Sequence, residues 1–156
     1  MKKSLFDLKR DITDGILDLL NQSKDGVVTF NGEDSLGDIE TITYSERITS
    51  GKLKLPAIWV IPDRYTPEIA GARSEEHRIP YWFAALVKNN DPVEGKREAE
   101  RLASRVYDLF LENRKLNGNC NDIIPGSIDP AYQQVDKNNV FWAGVQLLFT
   151  VRRITK

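Results

Sequence analysis

The chain has 156 residues, of which 40% are hydrophobic and 29% charged, and this composition predicts a single globular domain over residues 1–156. Its 22 basic and 23 acidic residues give a formal charge of −1, which argues against a protein that coats nucleic acid. A single cysteine, Cys120, excludes an internal disulfide, and no run approaches the ~20 apolar residues that a membrane-spanning helix needs. Lys2 and Lys3 resemble the start of a secretion signal, but no apolar segment follows them, so we expect no secretion by that route.

The first predicted element is an amphipathic helix from Ser4 to about Gln22. Leucine and isoleucine residues recur in it at spacings of three and four, which places them in one apolar stripe. Ser4 is the predicted N-cap, and Asp7 three residues later completes a pair that is similar to a capping box. Four aspartates share another face of this helix: Asp7, Asp11, Asp14 and Asp18. Such a face is either solvated or turned toward a basic partner or passing DNA.

The next segments are predicted to be strands. Residues 38–49 alternate weakly between apolar and polar, as in a half-exposed strand. Residues 55–61 form an apolar run in which Pro56 limits the strand to the part that follows it. Residues 62–77 contain two prolines, a glycine and several charges without periodicity, which predicts a mobile loop or arm. Within this segment, the candidate partner contacts are Arg64, Tyr65 and Arg73.

Two later strands are apolar on both faces, and they are the most informative feature of the sequence. The segments from Tyr81 to Val87 and from Val140 to Val151 lack the alternate polar positions of a half-exposed strand. A strand of this kind needs a cover on each face. We therefore expect both strands to lie centrally in a sheet, with helix on one side and either helix or a second subunit on the other.

A second helix is predicted to begin at Asp91, an N-cap followed by Pro92 at the first helical position. Its predicted buried stripe consists of Ala99, Leu102, Ala103, Val106, Leu109 and Phe110. Between residues 119 and 139, two prolines and a glycine allow only short strands, at 122–124 and 132–135. The predicted fold class is α+β in the order α-β-β-β-α-β-β, with a mostly antiparallel sheet of four to five strands packed by two helices.

No cluster of catalytic or metal-binding residues accompanies this framework, and we expect neither an enzyme nor a bound cofactor. His77 is the only histidine, lies among charged residues of the predicted loop, and is expected to be solvated. Cys120 lies in a polar turn without a partner that would activate it as a nucleophile, and zinc needs paired cysteines or histidines. Walker and G-x-G-x-x-G phosphate loops are absent. Carboxylate pairs in turn-like segments, such as Glu75 with Glu76, are explained better by a role in turns and solubility than by acid–base catalysis.

The order of these elements resembles that of the tail terminator, or tail completion, proteins of long-tailed bacteriophages. The resemblance covers most of the chain. It depends on the N-terminal helix, the strand ending at 57–62, the loop into 81–87, the helix that opens with Asp91-Pro92 and the closing strand 141–149. It implies a small α+β virion protein without catalytic residues, assembled in the host cytoplasm and located at the head-proximal end of the tail.

The resemblance also implies a mechanical function. In this family the chain forms a ring of identical subunits, a hexamer. Such a ring would cap the growing tail tube, stop polymerisation of the tube protein and offer a docking face to a neck protein of the filled capsid. DNA would pass through the channel without specific binding, since carboxylates repel phosphate, and the four helix-one aspartates are the candidate channel surface. Two alternatives stay open: another head–tail connector of the neck, and a small intracellular enzyme without a recognisable motif.

Overall fold

The computed structural model describes residues 3–44, 53–134 and 139–154, which form two helices and a mixed sheet of six strands. The predicted α+β class is therefore confirmed. In chain order the elements are α1 (Leu5–Lys24), β1 (Thr41–Tyr44), β2 (Ala57–Pro62), β3 (Glu68–Gly71), β4 (Ser74–Lys88), α2 (Pro92–Leu111), a 3-10 turn (Leu116–Gly118), β5 (Asp122–Gln133) and β6 (Val140–Ile154).

The two strands that are apolar on both faces lie at the centre of the sheet, as predicted. The strand order is β1-β2-β4-β6-β5, and β3 pairs with the part of β4 that extends past β2. β4 and β6 are antiparallel along their whole length, from Ser74 opposite Ile154 to Lys88 opposite Val140. β1 is parallel to β2, and the other described pairs are antiparallel.

Both helices begin at the predicted capping residues. The backbone N–H of Asp7 donates to Ser4 Oγ at 3.1 Å, and the backbone N–H of Val93 donates to Asp91 Oδ1 at 3.0 Å. Pro92 occupies the start of α2, where its missing N–H costs no helical hydrogen bond. A cap of this kind stabilises a helix by about 1 kcal/mol, so local sequence explains where both helices start.

The core lies between one face of the sheet and both helices. Phe83 of β4, Phe110 of α2 and Phe149 of β6 are fully buried, and their ring centroids lie 4.8 to 6.3 Å apart. These separations suit favourable aromatic pairs. On the α1 side, the hydroxyls of Thr13 and Tyr81 lie 2.7 Å apart in a hydrogen bond. The same sheet face thus packs against α1 and α2.

The predicted loop and the predicted short strands are both partly wrong. Residues 68–71 form β3, and β4 begins at Ser74, so a β-hairpin replaces much of the loop expected over 62–77. β5 is one strand rather than two short ones. It tolerates its prolines because it is an edge strand whose pairing with β6 shifts register twice, between Pro125 and Ile128 and between Asp129 and Tyr132. The expected strand over 38–49 is observed at Thr41–Tyr44; positions 45–49, like 135, lie outside the described residues.

Gly95 lets the first turns of α2 approach β6 closely. A Cβ atom at this position would overlap two ring carbons of Phe141, which is fully buried and has no room to move. We expect Gly95→Ala to lower the free energy of unfolding by about 1–3 kcal/mol through overpacking, although alanine is the better helix former by up to ~1 kcal/mol. Urea denaturation measures this, with Lys96→Ala on the exposed side of the same turn as the control. Equal or increased stability of Gly95→Ala would contradict the close approach.

Candidate interaction surfaces

The sheet face opposite the helices is apolar, and among the described residues no helix covers it. Its central small residues are nevertheless buried, because Leu53, Leu55 and the tryptophans of this face pack against Ala57, Ala84 and Leu86. Side chains alternate along each strand, so every second residue of the central strands points to this side. The surface, called here the open face, consists of Ala57, Trp59, Ile61, Trp82, Ala84, Leu86, Trp142, Gly144, Gln146 and Leu148. All three tryptophans of the chain belong to it.

The tryptophans of the open face are half-buried because they pack over small neighbours. Trp59 lies opposite Ala84, and Ala84 lies opposite Gly144. The indole N–H of Trp82 donates to Asp63 Oδ2 at 3.3 Å, while Trp142 packs on Tyr132 of β5 with ring centroids 5.0 Å apart. Tryptophan and tyrosine are enriched at protein interfaces, where one side of the ring is apolar and the polar atom finds a partner.

A second surface is a hairpin that extends from the end of the sheet, called here the arm (residues 68–78). It consists of β3 and the first residues of β4, backed by the last residues of β6. Ile69 is 87% exposed, and its neighbours from Ala70 to Arg73 are exposed as well. The arm therefore presents an apolar tip to its surroundings.

A hydrogen-bonded network fixes the base of the arm. The hydroxyl of Tyr65 lies 2.7 Å from His77 Nδ1, and His77 Nε2 lies 3.0 Å from Glu75 Oε1. Arg153 of β6 forms an ion pair with the same carboxylate oxygen at 2.9 Å. Burial and the charge of Glu75 raise the pKa of Tyr65, so its hydroxyl stays neutral and available for the hydrogen bond.

His77 is buried, and the expectation of a solvated histidine is wrong. Only 2% of its surface is exposed, because it lies on the helix-facing side of β4 opposite Val151 and beneath the ring of Tyr65. The sequence did contain a signal for this position. The alternation that places Ile79, Tyr81 and Phe83 on the core side continues one step back to His77.

The three predicted contacts of the 62–77 segment do not form one surface. Arg64 and Arg73 are exposed, but Tyr65 is half-buried in the network at the base of the arm. Arg73 lies in the turn between β3 and β4 and has no ion-pair partner in the part of the chain that the structure describes. Of the three, Arg73 is placed best to contact a partner.

The four aspartates of α1 fall into two pairs. Asp7 and Asp11 form ion pairs with Arg10 at 3.3 and 3.6 Å, and Asp11 also binds Lys3 Nζ at 2.6 Å. The hydrogen bond from Lys3 lowers the pKa of Asp11. Asp14 and Asp18 are exposed and have no ion pair within the described residues. The unneutralised charge thus lies toward the C-terminal half of the helix, and its role as a channel surface stays a prediction.

A groove of about 590 Å³ separates α2 from the edge strand β5. Its lining includes Ile128, which is 66% exposed, and three acidic residues, Glu100, Asp108 and Asp129. Glu100 accepts a hydrogen bond from the backbone N–H of Ala131, and Asp108 accepts one from the side chain of Asn31. Asp129 pairs with Gly144 of β6, and its carboxylate lies near Gly144 and Trp82 on the sheet face opposite the helices, where it has no hydrogen-bond or ion-pair partner among the described residues.

Cys120 is buried rather than placed in a flexible polar turn. Its thiol donates to the backbone carbonyl of Arg114 at 3.4 Å, and burial raises its pKa to about 11. A thiol with this pKa is almost wholly protonated at neutral pH and reacts slowly. In the described ranges no three histidine, cysteine or carboxylate side chains are grouped to hold a metal ion.

Comparison with protein-family models gives no match, and comparison with curated proteins finds no similar sequence. Neither α1 nor α2 combines the length and the apolar character needed to cross a membrane, and no other helix of the described residues does.

Limited proteolysis tests whether the 62–77 segment is mobile in the isolated subunit. We expect trypsin to cut first after Arg64 or Arg73, since both are exposed and few apolar contacts offset the conformational entropy of their segments. Mass spectrometry of the first fragments locates the cut, and Arg73→Gln should remove the product of that site alone. Resistance of both sites while the chain ends are trimmed would show that the segment is rigid.

Proposed function

We propose that this chain is a structural subunit of a closed ring at the head-proximal end of a bacteriophage tail tube. In this role it stops polymerisation of the tube protein and provides the docking face for a neck protein. The observation that carries the proposal is the open face, an apolar sheet surface with three tryptophans that lacks a helical cover in the described chain.

An apolar face of this kind favours assembly because burial of apolar surface is the main favourable term in protein association. Contiguous apolar patches on a protein surface mark sites that bind other macromolecules. The sequence pattern alone requires a cover on both sides of β4 and β6, and α1 and α2 supply only one. A second protein chain supplies the other in this proposal.

The charges of the subunit are compatible with a channel for DNA. Asp14 and Asp18 are exposed on α1, and carboxylates disfavour the close approach of phosphate. The chain as a whole carries a formal charge of −1, so it offers no general attraction to nucleic acid. A ring that lines its channel with α1 would let DNA pass without retaining it.

A second candidate is another connector of the neck rather than the terminator itself. The arm favours it, because the exposed Ile69 at the end of the sheet offers an apolar contact to a neighbouring ring of a stacked assembly. Both candidates are structural and virion-bound. They differ in position, since a terminator contacts the tube protein directly and a connector need not.

Imaging tests the proposal. Purified protein should give rings in negative stain and a mass of several subunits by light scattering, and assembled tails should carry it at the head-proximal end. Tails that lack the protein should grow beyond their normal length. Density at any other position on the tail, or tails of normal length without the protein, would refute the terminator function.

A further inference from the structure

One carboxylate on the open face is left without a partner. Asp129 of β5 lies opposite Gly144 of β6, and its side chain is on the same side of the sheet as the tryptophans. It is half-buried, and its carboxylate forms no ion pair or hydrogen bond within the described residues. The open face therefore carries one unneutralised negative charge beside its apolar and aromatic side chains.

This carboxylate and the indole of Trp82 converge on Gly144. A Cβ atom at Gly144 would lie 3.6 Å from Cε3 of Trp82 and 3.8 Å from Asp129 Oδ2. Glycine has no side chain, so the row of Trp142, Gly144 and Gln146 along β6 has a gap at its middle. The site bordered by Trp82, Asp129 and Gly144 is called here the Gly144 notch.

The orientation of the Trp82 ring is fixed from its other edge. Its indole N–H donates to Asp63 Oδ2 at 3.3 Å, which leaves the six-membered ring on the side of Gly144 and Asp129. An indole attracts a cation that lies over its face within about 6 Å of the ring centroid. A positive group next to the Asp129 carboxylate is within reach of this ring, so the two groups favour the same ligand charge.

The charge of Asp129 limits what can cover the open face. A covering surface that is apolar throughout would remove water from the carboxylate and leave it unpaired, which is strongly unfavourable. A cation in the covering surface removes that cost. Arginine fits best, because its planar guanidinium donates two parallel hydrogen bonds to a carboxylate and also stacks on aromatic rings.

We propose that the protein chain that covers the open face inserts an arginine side chain into the Gly144 notch, where the guanidinium pairs with the Asp129 carboxylate and lies against the Trp82 indole. The inference rests on the proposed function, since that function requires a second chain on the open face. It adds the chemistry of that chain: an apolar surface that carries an arginine. The apolar contacts supply buried area, and the arginine fixes the position of one chain on the other.

Fluorine NMR of protein labelled with 5-fluorotryptophan tests the notch directly. The chain has three tryptophans, so three resonances are expected, and Trp82→Phe identifies the one from Trp82. The probe is N-acetyl-arginine amide, and the control is N-acetyl-citrulline amide, which has a similar shape without the charge. We expect the arginine compound to shift the Trp82 resonance saturably and the citrulline compound to leave it in place. Trp59, three strands away from Asp129, should respond less.

Matched variants show whether the carboxylate is responsible. Asp129→Asn keeps the shape of the side chain and should weaken binding of the arginine compound roughly tenfold or more. Asp14→Asn removes an equally unpaired carboxylate on α1, on the other side of the sheet, and should not change it. Thermal unfolding confirms that both variants are folded.

Self-association provides the second measurement, for the case in which another copy of this chain covers the open face and blocks the probe. Asp129→Asn should then raise the concentration at which the oligomer forms by roughly tenfold, because the arginine of the neighbouring copy loses its partner. A covering surface without a cation predicts the opposite sign, since the variant removes an unpaired buried charge. Sedimentation velocity gives the concentration for wild type, Asp129→Asn and Asp14→Asn.

The outcomes separate this inference from the proposed function. Arginine-selective binding at Trp82, or weaker self-association of Asp129→Asn, supports the notch. Absence of both, an equal response to citrulline, or stronger self-association of Asp129→Asn overturns it and leaves the ring on the tail untouched. A notch that binds the arginine compound in a protein absent from the head-proximal end of tails would keep the site and refute the terminator function.

Discussion

Val106→Asp is expected to abolish soluble folded protein. Val106 is fully buried in α2 against the sheet, and an unpaired carboxylate at that site costs several kcal/mol. Since a domain of this size has roughly 5–15 kcal/mol of stability in total, this change removes much or all of it. Leu102→Asp, one turn earlier on the same buried stripe, should have the same effect.

Arg101→Ala is the matched control for the helix face. Arg101 is exposed and neighbours Leu102 in sequence, so its removal should change the free energy of unfolding by less than ~0.5 kcal/mol. Soluble yield, circular dichroism and thermal denaturation compare the variants. If Val106→Asp unfolds at the same temperature as Arg101→Ala, the buried face of α2 has been assigned wrongly.

Phe110→Ala is expected to destabilise the domain by about 3–5 kcal/mol. The ring of Phe110 contacts Phe83 and Phe149 in the centre of the core, with centroids 4.8 and 5.7 Å away, so the change leaves a cavity and removes two aromatic pairs. Chemical denaturation gives the change directly if unfolding remains two-state.

Phe6→Ala provides the same chemical change at a solvent-facing position. Phe6 is 72% exposed, and its one described interaction is the Arg10 guanidinium at 5.9 Å from the ring centroid. A cation–π contact at such a site contributes about 0.5–1 kcal/mol, so the loss should not exceed that amount. A loss for Phe6→Ala as large as that for Phe110→Ala would mean that the N-terminal turn of α1 is covered in solution.

The central strands and the helices could be predicted because the residues that determine them lie close together in the sequence. β4 and β6 are apolar at consecutive positions, which places them in the middle of the sheet without further information. Asp91-Pro92 fixes the start of α2 because the cap and the missing N–H act on the same turn. These features need no knowledge of distant residues.

The arm and the groove could not be predicted because they arise from tertiary pairing. β3 has no apolar alternation, and its four residues are all exposed, so its strand conformation depends on the backbone of β4 beside it. Pro125 and Pro130 predicted that β5 would be interrupted. The strand continues because it lies at the edge of the sheet, where the N–H group that proline lacks is not needed for pairing. His77 is a different case: the alternation of β4 places it on the core side, and its charged neighbours concealed this signal in the sequence.

The continuity of β4 and β6 has a mechanical consequence. The same two strands build the phenylalanine core and, several residues further on, the base of the arm. A slip of one residue between them would turn every side chain to the opposite face and bring Trp82 into the place of Phe83. The buried aromatic rings thus fix the register of β4 and β6, and with it the direction of the hairpin. Pairing with β6 along the whole of β4 fixes the direction of the first residues of β4, whereas the turn at Arg73 has no such partner strand and stays open to trypsin.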